Sequence, residues 1–364
     1  MHRVLLYGPN TIPTDGAYGG GLGGYTRKMH LYLNWFKDPQ FQMIPCYHTI
    51  RGQSKFEVLI IRLLKDVWSF VRSTVVVKPG IIHILAQYRT AIYREFLIVA
   101  LSKIFGIPVI YEIKAGVFLS WFNSTDLLSK QLCKFCLHYS DIILCQGKSY
   151  VHFLDTKYSG KVFYHPNFVP SEEVPGIIGT KLNYPGIRVL FVGFQFKEKG
   201  VFELVDACKI ASEHIPVELT LVGKEHPDFR MWLDKQEFPS TLKLNRVGEL
   251  PHLELASYYQ KNDVYCYPTY HSGEGHNNTI NEAMMMGMVI VTTAHGFLSD
   301  ILSSDSAYFL ENVSSNTISK CLIKINDKRE CAREKGLKAR ELLLNNYTSR
   351  IVLNRLKSHY KSLI

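Results

Sequence analysis

The 364-residue sequence lacks several features that mark common protein classes. It has no Asp-x-Asp motif to hold a divalent metal, and no low-complexity tract or internal repeat. Its eight cysteines are scattered, and the apolar neighbours of Cys133-x-x-Cys136 favour a buried helix over a zinc or redox site. Charged and polar residues interrupt the first thirty positions, so we expect no signal peptide and a cytoplasmic setting with reduced thiols.

The sequence gives little support to two functional classes, a Rossmann-like dehydrogenase and a nucleic-acid-binding protein. The glycine-rich loop Gly8–Gly24 lacks a short Gly-x-Gly-x-x-Gly turn with an acidic ribose partner downstream, which excludes a Rossmann-like dehydrogenase. No groove-reading or base-stacking motif points to nucleic acid. A hydrophobic content of 46% with mixed charge indicates a globular protein instead.

Acidic residues are scarce in the first half. Residues 1–180 carry 19 Lys and Arg against 11 Asp and Glu, whereas the remainder carries 23 against 21. Such an excess needs an anionic partner, and nucleic acid, phospholipid head groups and a pyrophosphate-linked acceptor all remain open on charge alone.

Residues 55–74 form an apolar stretch that charges interrupt, which argues against a transmembrane helix. The polar residues fall on one helical face: Arg62, Lys65, Asp66, Ser69, Arg72 and Ser73. Two interpretations stay open, an ordinary helix packed on a sheet and a basic amphipathic helix in a membrane interface. The very apolar segment Ala91–Phe105 favours the second.

Short apolar strands alternate with helical segments twice along the chain, which predicts an α/β protein with two doubly wound parallel sheets. The first series comprises Arg3–Tyr7, Ile81–Leu85, Val109–Ile113, Asp141–Cys145 and Lys161–Tyr164. After a Pro- and Gly-rich linker at 170–186, the second comprises Val189–Val192, Glu218–Val222, Lys243–Val247, Val264–Tyr267 and Val289–Thr292. We expect ligands at the carboxyl ends of the strands, in a cleft between the domains.

Residues 273–293 are the most informative stretch. Glu274 lies in a Gly- and Asn-rich loop, and Glu282 lies in a helix of Ala and Met that ends at Gly287. The backbone N–H groups and dipole of a helix start form an anion site, here built from Gly275, His276, Asn277 and Asn278. Because the two carboxylates can accept hydrogen bonds from hydroxyls, the stretch predicts a nucleotide-sugar site.

With Glu282-Ala283-Met284 and the strand after Gly287, this stretch resembles the signature of the retaining GT-B glycosyltransferases of family 4 (glycosyl transferases group 1). Further matches follow in order along nearly the whole chain: Gly23-Gly24-Tyr25-Thr26-Arg27, Val189–Gly193 before Lys197–Gly200, Leu219–Gly223, and Tyr258–Pro268. The resemblance implies a GT-B fold of two Rossmann-like domains facing across a cleft. Its expected limits are 1–175 for the acceptor domain, 186–348 for the nucleotide-sugar domain, and 349–364 for a helix crossing back to the first domain.

The resemblance also implies roles for individual residues. Glu274 would bond hydroxyls of the donor sugar at the catalytic centre, and Glu282 would bond the ribose. Lys199, with Lys197 as second choice, would bind the diphosphate. The remaining donor-binding residues are Gly23, Gly24, Gly275, His276, Asn277, Asn278 and Thr279, largely through their backbone. No metal and no cofactor are expected.

Three departures from the family pattern concern this site. Phe194 follows Gly193 where many members carry an arginine, and Lys114 stands where many carry a histidine. We therefore predict Lys114 as a catalytic residue that brings a cation near the diphosphate. His276-Asn277 replaces an aromatic-Gly pair, which leaves the donor sugar open. His83 is expected to be structural.

Together these features predict a metal-independent, retaining hexosyltransferase of the EC 2.4 class. It would use a UDP-sugar, or a GDP-sugar as second choice, to extend a polyprenyl-diphosphate-linked glycan of a surface polysaccharide such as O-antigen. We expect a cytoplasmic protein, peripheral on the anionic inner face of the plasma membrane, with no nucleic-acid partner. The alternatives are a transferase for a soluble small-molecule acceptor and a non-catalytic nucleotide-binding scaffold.

Overall fold

The computed structural model describes residues 1–9, 24–48, 56–176 and 182–364, which form two compact units. The first unit contains the described residues up to Asn167 together with Ser349–Ile364, and the second runs from Phe168 to Thr348. For comparison, our sequence-based domain limits lie at residues 175, 186 and 348. No helix within the described ranges is long and apolar enough to cross a membrane.

The first unit is built on a parallel sheet of six strands in the order β2-β1-β3-β4-β5-β6. Its elements are β1 His2–Pro9, α1 Gly24–Trp35, β2 Phe41–His48, α2 Phe56–Val77, β3 Ile81–Ala86, α3 Ala91–Ile104, β4 Val109–Ile113, α4 Phe118–Ser124, α5 Leu127–Tyr139, β5 Ile142–Cys145, α6 Lys148–Asp155 and β6 Val162–Tyr164. Strands β3 and β4 are buried throughout, as expected for parallel strands covered on both faces.

The second unit contains another parallel sheet of six strands, in the order β12-β11-β10-β7-β8-β9. Its elements are β7 Ile187–Val192, α7 Val201–Ser212, β8 Val217–Val222, α8 Pro227–Leu233, β9 Leu242–Gly248, α9 His252–Lys261, β10 Val264–Tyr267, α10 Asn278–Met285, β11 Val289–Thr292, α11 Leu298–Ile301, β12 Tyr308–Phe309, α12 Ser315–Asp327 and α13 Arg329–Asn346. The strand order reverses between β7 and β10, which is the arrangement of a dinucleotide-binding doubly wound sheet.

The last helix, α14 (Ser349–Lys361), belongs to the first unit. Its Tyr360 ring packs against Phe36 and Phe41, and the Tyr360 hydroxyl hydrogen-bonds His83 Nδ1 at 2.7 Å. Lys357 of the same helix forms an ion pair with Asp38. The chain therefore enters the first unit twice.

Candidate active site

The carboxyl ends of β7 and β10 lie side by side, because Val189 of β7 pairs with Val264 of β10. In a doubly wound sheet, ligands bind at the carboxyl ends where the strand order reverses. The loop after β7 contains a single 3-10 turn, Lys197–Lys199, and the loop after β10 leads to Glu274. The topology thus brings two distant sequence segments to one edge of the second sheet.

Glu274 is buried and accepts hydrogen bonds from four side chains. Its Oε2 accepts from Lys199 Nζ at 2.6 Å, from Thr269 Oγ1 at 3.0 Å and from the Tyr267 hydroxyl at 3.1 Å. Its Oε1 accepts from Asn277 Nδ2 at 3.0 Å. The predicted sugar-binding carboxylate and the predicted diphosphate-binding lysine therefore form one buried ion pair, with exposed fractions of 5% and 14%.

Two glycines with positive φ hold this ion pair in place. Gly200 (φ 69°) follows Lys199, and a Cβ there would lie 2.2 Å from the carbonyl oxygen of Pro268. Gly296 (φ 60°) lies against the Glu274 backbone, where a Cβ would lie 2.3 Å from the Glu274 carbonyl oxygen. Both positions need the left-handed conformation and the close approach that glycine alone permits.

Asn277 joins the ion pair to the start of α10. It is the N-cap residue of that helix, and its Oδ1 accepts from the backbone N–H of Thr279 at 2.8 Å and from Thr279 Oγ1 at 2.7 Å. Since the same amide donates to Glu274, hydrogen bonds connect the predicted donor loop directly to the carboxylate. Asn278 is the first residue of α10, and Gly275 lies half-buried between Glu274 and the cap.

The His276 side chain packs inward. It is buried, its Nε2 lies 2.9 Å from Asn281 Oδ1, and its ring meets the Tyr347 ring edge-on at 5.1 Å between centroids. A ligand in this loop would therefore meet His276 through its backbone.

Glu282 occupies a separate buried environment on α10. Its Oε2 accepts a hydrogen bond from the Tyr259 hydroxyl at 2.8 Å, and its Oε1 lies 3.8 Å from His252 Nδ1. The side chain is 3% exposed, so the Tyr259 hydroxyl supplies a hydrogen bond where solvent has little access. The two carboxylates predicted from the sequence, Glu274 and Glu282, therefore have separate sets of protein partners.

The remaining donor-binding residues have varied placements. Lys197 is exposed, and Phe194 is exposed beside Phe196, with ring centroids 5.3 Å apart. Gly24 is the first residue of α1, and Gly23 lies outside the described residues.

Lys114 lies in the first unit, directly after β4. It is buried, and its Nζ lies 3.3 Å from Asn167 Oδ1 and 5.8 Å from the centre of the Tyr25 ring. Burial, with the nearby Lys28 cation, holds the pKa of Lys114 well below its usual value. The Glu112 carboxylate opposes this shift but does not cancel it, so a further anion near Lys114 would favour the ammonium form.

A buried polar network lies beside Lys114. The Tyr32 hydroxyl is 2.6 Å from both Glu112 Oε2 and His165 Nε2, and Lys28 Nζ is 3.7 Å from Glu112 Oε1. Burial lowers the pKa of Lys28 to about 8. Burial alone would raise the pKa of Glu112, but Lys28 and the hydrogen bond from His83 hold it well below its usual value.

His83 takes the structural position that we predicted. It is buried in the middle of β3, between the Tyr360 hydroxyl at 2.7 Å and Glu112 Oε2 at 3.2 Å. Both ring nitrogens have protein partners, so the imidazole links the sheet to α14.

Several residues of these clusters were missed by sequence analysis. In the second unit they are Tyr267, Thr269 and Tyr259. A usable signal existed for Tyr267 and Thr269, since polar residues at the end of a strand that precedes the Glu274 loop belong to the ligand edge. No sequence signal pointed to Tyr259, because this residue lies on α9 and contacts Glu282 only through tertiary packing. Lys28 and His165 of the first unit were missed for the same reason.

Comparison with known proteins identifies relatives of this chain. Residues 186–328 match the family model "Glycosyl transferases group 1". The chain is 23% identical over 176 residues to the capsular polysaccharide biosynthesis glycosyltransferase CapM of Staphylococcus aureus. That match covers 48% of this chain and 46% of CapM, so the chain spans less than half of this curated relative.

Solved structures resemble the chain along its full length. Sucrose-phosphate synthase of Thermosynechococcus elongatus has a TM-score of 0.77 at 17% identity, covering 100% of this chain and 99% of that one. HepE of Anabaena, in complex with UDP, has a TM-score of 0.71 at 10% identity and covers 100% of both chains. The predicted resemblance to group 1 glycosyltransferases is thus confirmed over residues 186–328, and the α/β GT-B fold along the whole chain.

Proposed function

We propose that the chain is a metal-independent, retaining hexosyltransferase. It would move a hexose from a nucleotide sugar, a UDP-sugar by preference and a GDP-sugar as second choice, onto a polyprenyl-diphosphate-linked oligosaccharide of a surface polysaccharide. The observation that carries this proposal is the Lys199–Glu274–Asn277 cluster at the carboxyl edge of the second sheet, where its strand order reverses.

Lys199 can serve a diphosphate without leaving Glu274. An ammonium group has three donors, and one of them already bonds Glu274 Oε2. The others can meet the negative charge that develops on the leaving diphosphate, in a buried environment where such an interaction is strong. The backbone N–H groups of Asn277 and Asn278, at the start of α10, add donors for the same charge.

Glu274 has a direction left for a sugar hydroxyl. Among the described residues, Oε2 accepts three hydrogen bonds and Oε1 accepts one, from Asn277. A carboxylate oxygen accepts about two well-directed hydrogen bonds, so Oε2 with its three donors is full, whereas Oε1 can accept one further donor. Because four donors already fix this carboxylate, we assign it to orienting the hexose, and not to attack on the anomeric carbon.

This assignment supports front-face displacement with retention. The anomeric C–O bond to the diphosphate breaks, the acceptor oxygen bonds the same face of the sugar, and the leaving phosphate oxygen takes the acceptor proton. Lys199 would stabilise the diphosphate charge in that step.

Glu282 would recognise the ribose. Its position within α10, past the donor loop, suits a group on the far side of the diphosphate from the hexose. The hydrogen bond from Tyr259 fixes the carboxylate orientation before the nucleotide arrives.

The relatives and the charge distribution support the choice of substrates. HepE is described in complex with UDP, and CapM as a capsular polysaccharide biosynthesis glycosyltransferase. The basic first half of this chain suits an acceptor that carries a diphosphate. Such an acceptor implies work at the cytoplasmic face of the plasma membrane.

Calorimetric titration of the purified protein with UDP, GDP, ADP and CMP tests the proposal, with and without magnesium. We expect one nucleotide, UDP first, to bind without metal, and Glu282→Ala to weaken that binding by at least about tenfold. Leu337→Ala, at an exposed position on α13, is the control.

Two results would overturn parts of the proposal. Binding that requires magnesium would remove the metal-independent mechanism. No binding by any nucleotide would remove both the transferase and the nucleotide-binding scaffold.

A further inference from the structure

Much of the polar side of helix α2 packs against the rest of the first unit. Asp66 is buried in an ion pair with Arg94 at 3.1 Å, and Ser69 and Ser73 lie beside the Cys46 thiol of β2. A helix on the surface of a water-soluble protein normally turns its polar side to solvent. In α2 these polar groups face the protein.

The opposite side of α2 exposes large apolar residues. Trp68 is 69% exposed and Leu64 is 63% exposed. The remaining exposed apolar residues follow helical spacing around them: Ile60, Ile61, Val75 and Val76. They form one stripe along the helix, which we name the α2 stripe. A contiguous apolar stripe of this kind marks an interaction surface.

Two cations lie among the residues of the α2 stripe, on one side of Trp68. Lys65 and Arg72 are exposed and lie about 60° and 40° around the helix from Trp68, from the 100° turn per residue. Within the described side chains of α2, residues 59–77, Asp66 is the sole acid, and it is buried against Arg94. The exposed charge of this surface is therefore positive.

We propose that the α2 stripe binds an anionic bilayer surface, with α2 parallel to the membrane and Trp68 at the head-group level. A Trp in an apolar stripe beside Lys and Arg is the composition of an interfacial helix. A second copy of the chain fits less well, since a two-fold contact would bring two cationic stripes together.

The choice of a bilayer over other anionic surfaces rests on the proposed lipid-linked acceptor, which stays in the membrane. Binding itself does not require catalysis, so the two proposals can fail separately.

Vesicle flotation with the full chain tests the proposal. The probes are vesicles of phosphatidylcholine alone and vesicles that also contain phosphatidylglycerol. We expect binding to the anionic vesicles alone, and a loss of about tenfold or more in Trp68→Glu and in Lys65→Glu/Arg72→Glu. Trp68→Leu keeps the apolar contact and should bind within a few-fold of wild type.

Matched controls lie on α8 of the second unit and directly after it. Met231 is 59% exposed, and Arg230 and Lys235 are exposed. Met231→Glu and Arg230→Glu/Lys235→Glu make the same changes elsewhere and should leave vesicle binding unchanged. Nucleotide titration of each variant separates loss of membrane binding from loss of the proposed donor site.

Three outcomes would overturn the proposal. They are equal binding by wild type and Trp68→Glu, equal binding to neutral and anionic vesicles, and no vesicle binding with self-association that Trp68→Glu abolishes. The last would assign the α2 stripe to a second copy of the chain.

Discussion

Glu274 and Glu282 carry the same charge in different surroundings, so their substitutions should have different effects. Glu274 bonds a lysine, and Glu282 bonds a tyrosine hydroxyl. We expect Glu274→Gln to lower the affinity for UDP-hexose roughly 10- to 100-fold with little change for UDP, since a hydrogen bond to a charged group contributes about 1.5–3 kcal/mol. Glu282→Gln should lower the affinities for UDP and for UDP-hexose to the same extent.

Parallel calorimetric titrations with UDP and UDP-hexose measure this difference. Equal losses for UDP in both variants would remove the separate sugar and ribose roles.

Lys114 gives a second prediction at the residue scale. Its pKa is held well below the usual value by burial, so an anion that binds nearby would restore the ammonium charge. We expect Lys114→Ala to reduce turnover and donor affinity by about tenfold. The exposed Lys134→Ala, on α5 of the same unit, is the control. Unchanged turnover and donor affinity in Lys114→Ala would leave this lysine as part of the buried network alone.

His165 makes the stability of the fold depend on pH. Burial, with the Lys28 cation, holds the pKa of His165 well below its usual 6.5. Below pH 6.5 the unfolded chain therefore binds a proton at the His165 imidazole, whereas the folded chain binds this proton only at a lower pH. The stability that His165 provides is complete above that pH and is lost as the pH falls.

We expect the free energy of unfolding to fall between pH 7 and pH 5, by at most about 1.4 kcal/mol per pH unit for this one proton. His165→Gln should make the slope shallower, and the exposed His138→Gln should keep it. Urea unfolding across this range measures both slopes. An unchanged slope in His165→Gln would contradict the assignment.

At the scale of elements, the turn between β7 and α7 sets the position of Lys199. Gly200→Ala must place a Cβ 2.2 Å from the Pro268 carbonyl oxygen, besides adopting φ 69°. Gly248 also has a positive φ (77°), but a Cβ there would have no neighbour within 4 Å. Alanine substitutions at these two glycines therefore distinguish two costs. Both positions have a positive φ, but only Gly200 adds a steric clash.

We expect Gly248→Ala to cost about 1 kcal/mol of unfolding free energy, and Gly200→Ala to cost more, about 3 kcal/mol, and to weaken UDP binding. Thermal unfolding with UDP titration measures both. Equal costs with unchanged UDP affinity would show that the turn does not position Lys199.

Some elements were predicted from the sequence, and others were missed or only partly described. Buried strands such as β4 and β10 were predicted because a run of apolar residues between turn residues has few other structures. Strand β2 was missed because Pro45 interrupts it, which the sheet tolerates at its edge. For α2, periodicity defined the two faces but did not reveal that Asp66 would face the protein, since Arg94 meets it only in the folded chain.

At the scale of the whole molecule, the GT-B fold could be predicted because its motifs recur in order along the chain. The Glu274 loop was predicted as a donor site, and the structure places it in contact with Lys199, 75 residues away in sequence. The roles of these residues remain predictions. The Lys28, Glu112 and His165 network could not be predicted, because its members come from separate elements that only the tertiary fold brings together.

The measurement that tests the central claim most directly is sugar transfer by the purified chain. UDP-hexoses and GDP-hexoses would be supplied with polyprenyl-diphosphate-linked sugars in detergent micelles, and nucleoside diphosphate release would be followed beside the anomeric configuration of the product by NMR. We predict acceptor-dependent release from one donor without metal, retention at the anomeric carbon, and loss of release in Glu274→Gln. A protein that binds the nucleotide but releases diphosphate from none of these donors, with lipid-linked or soluble saccharide acceptors, would contradict the account.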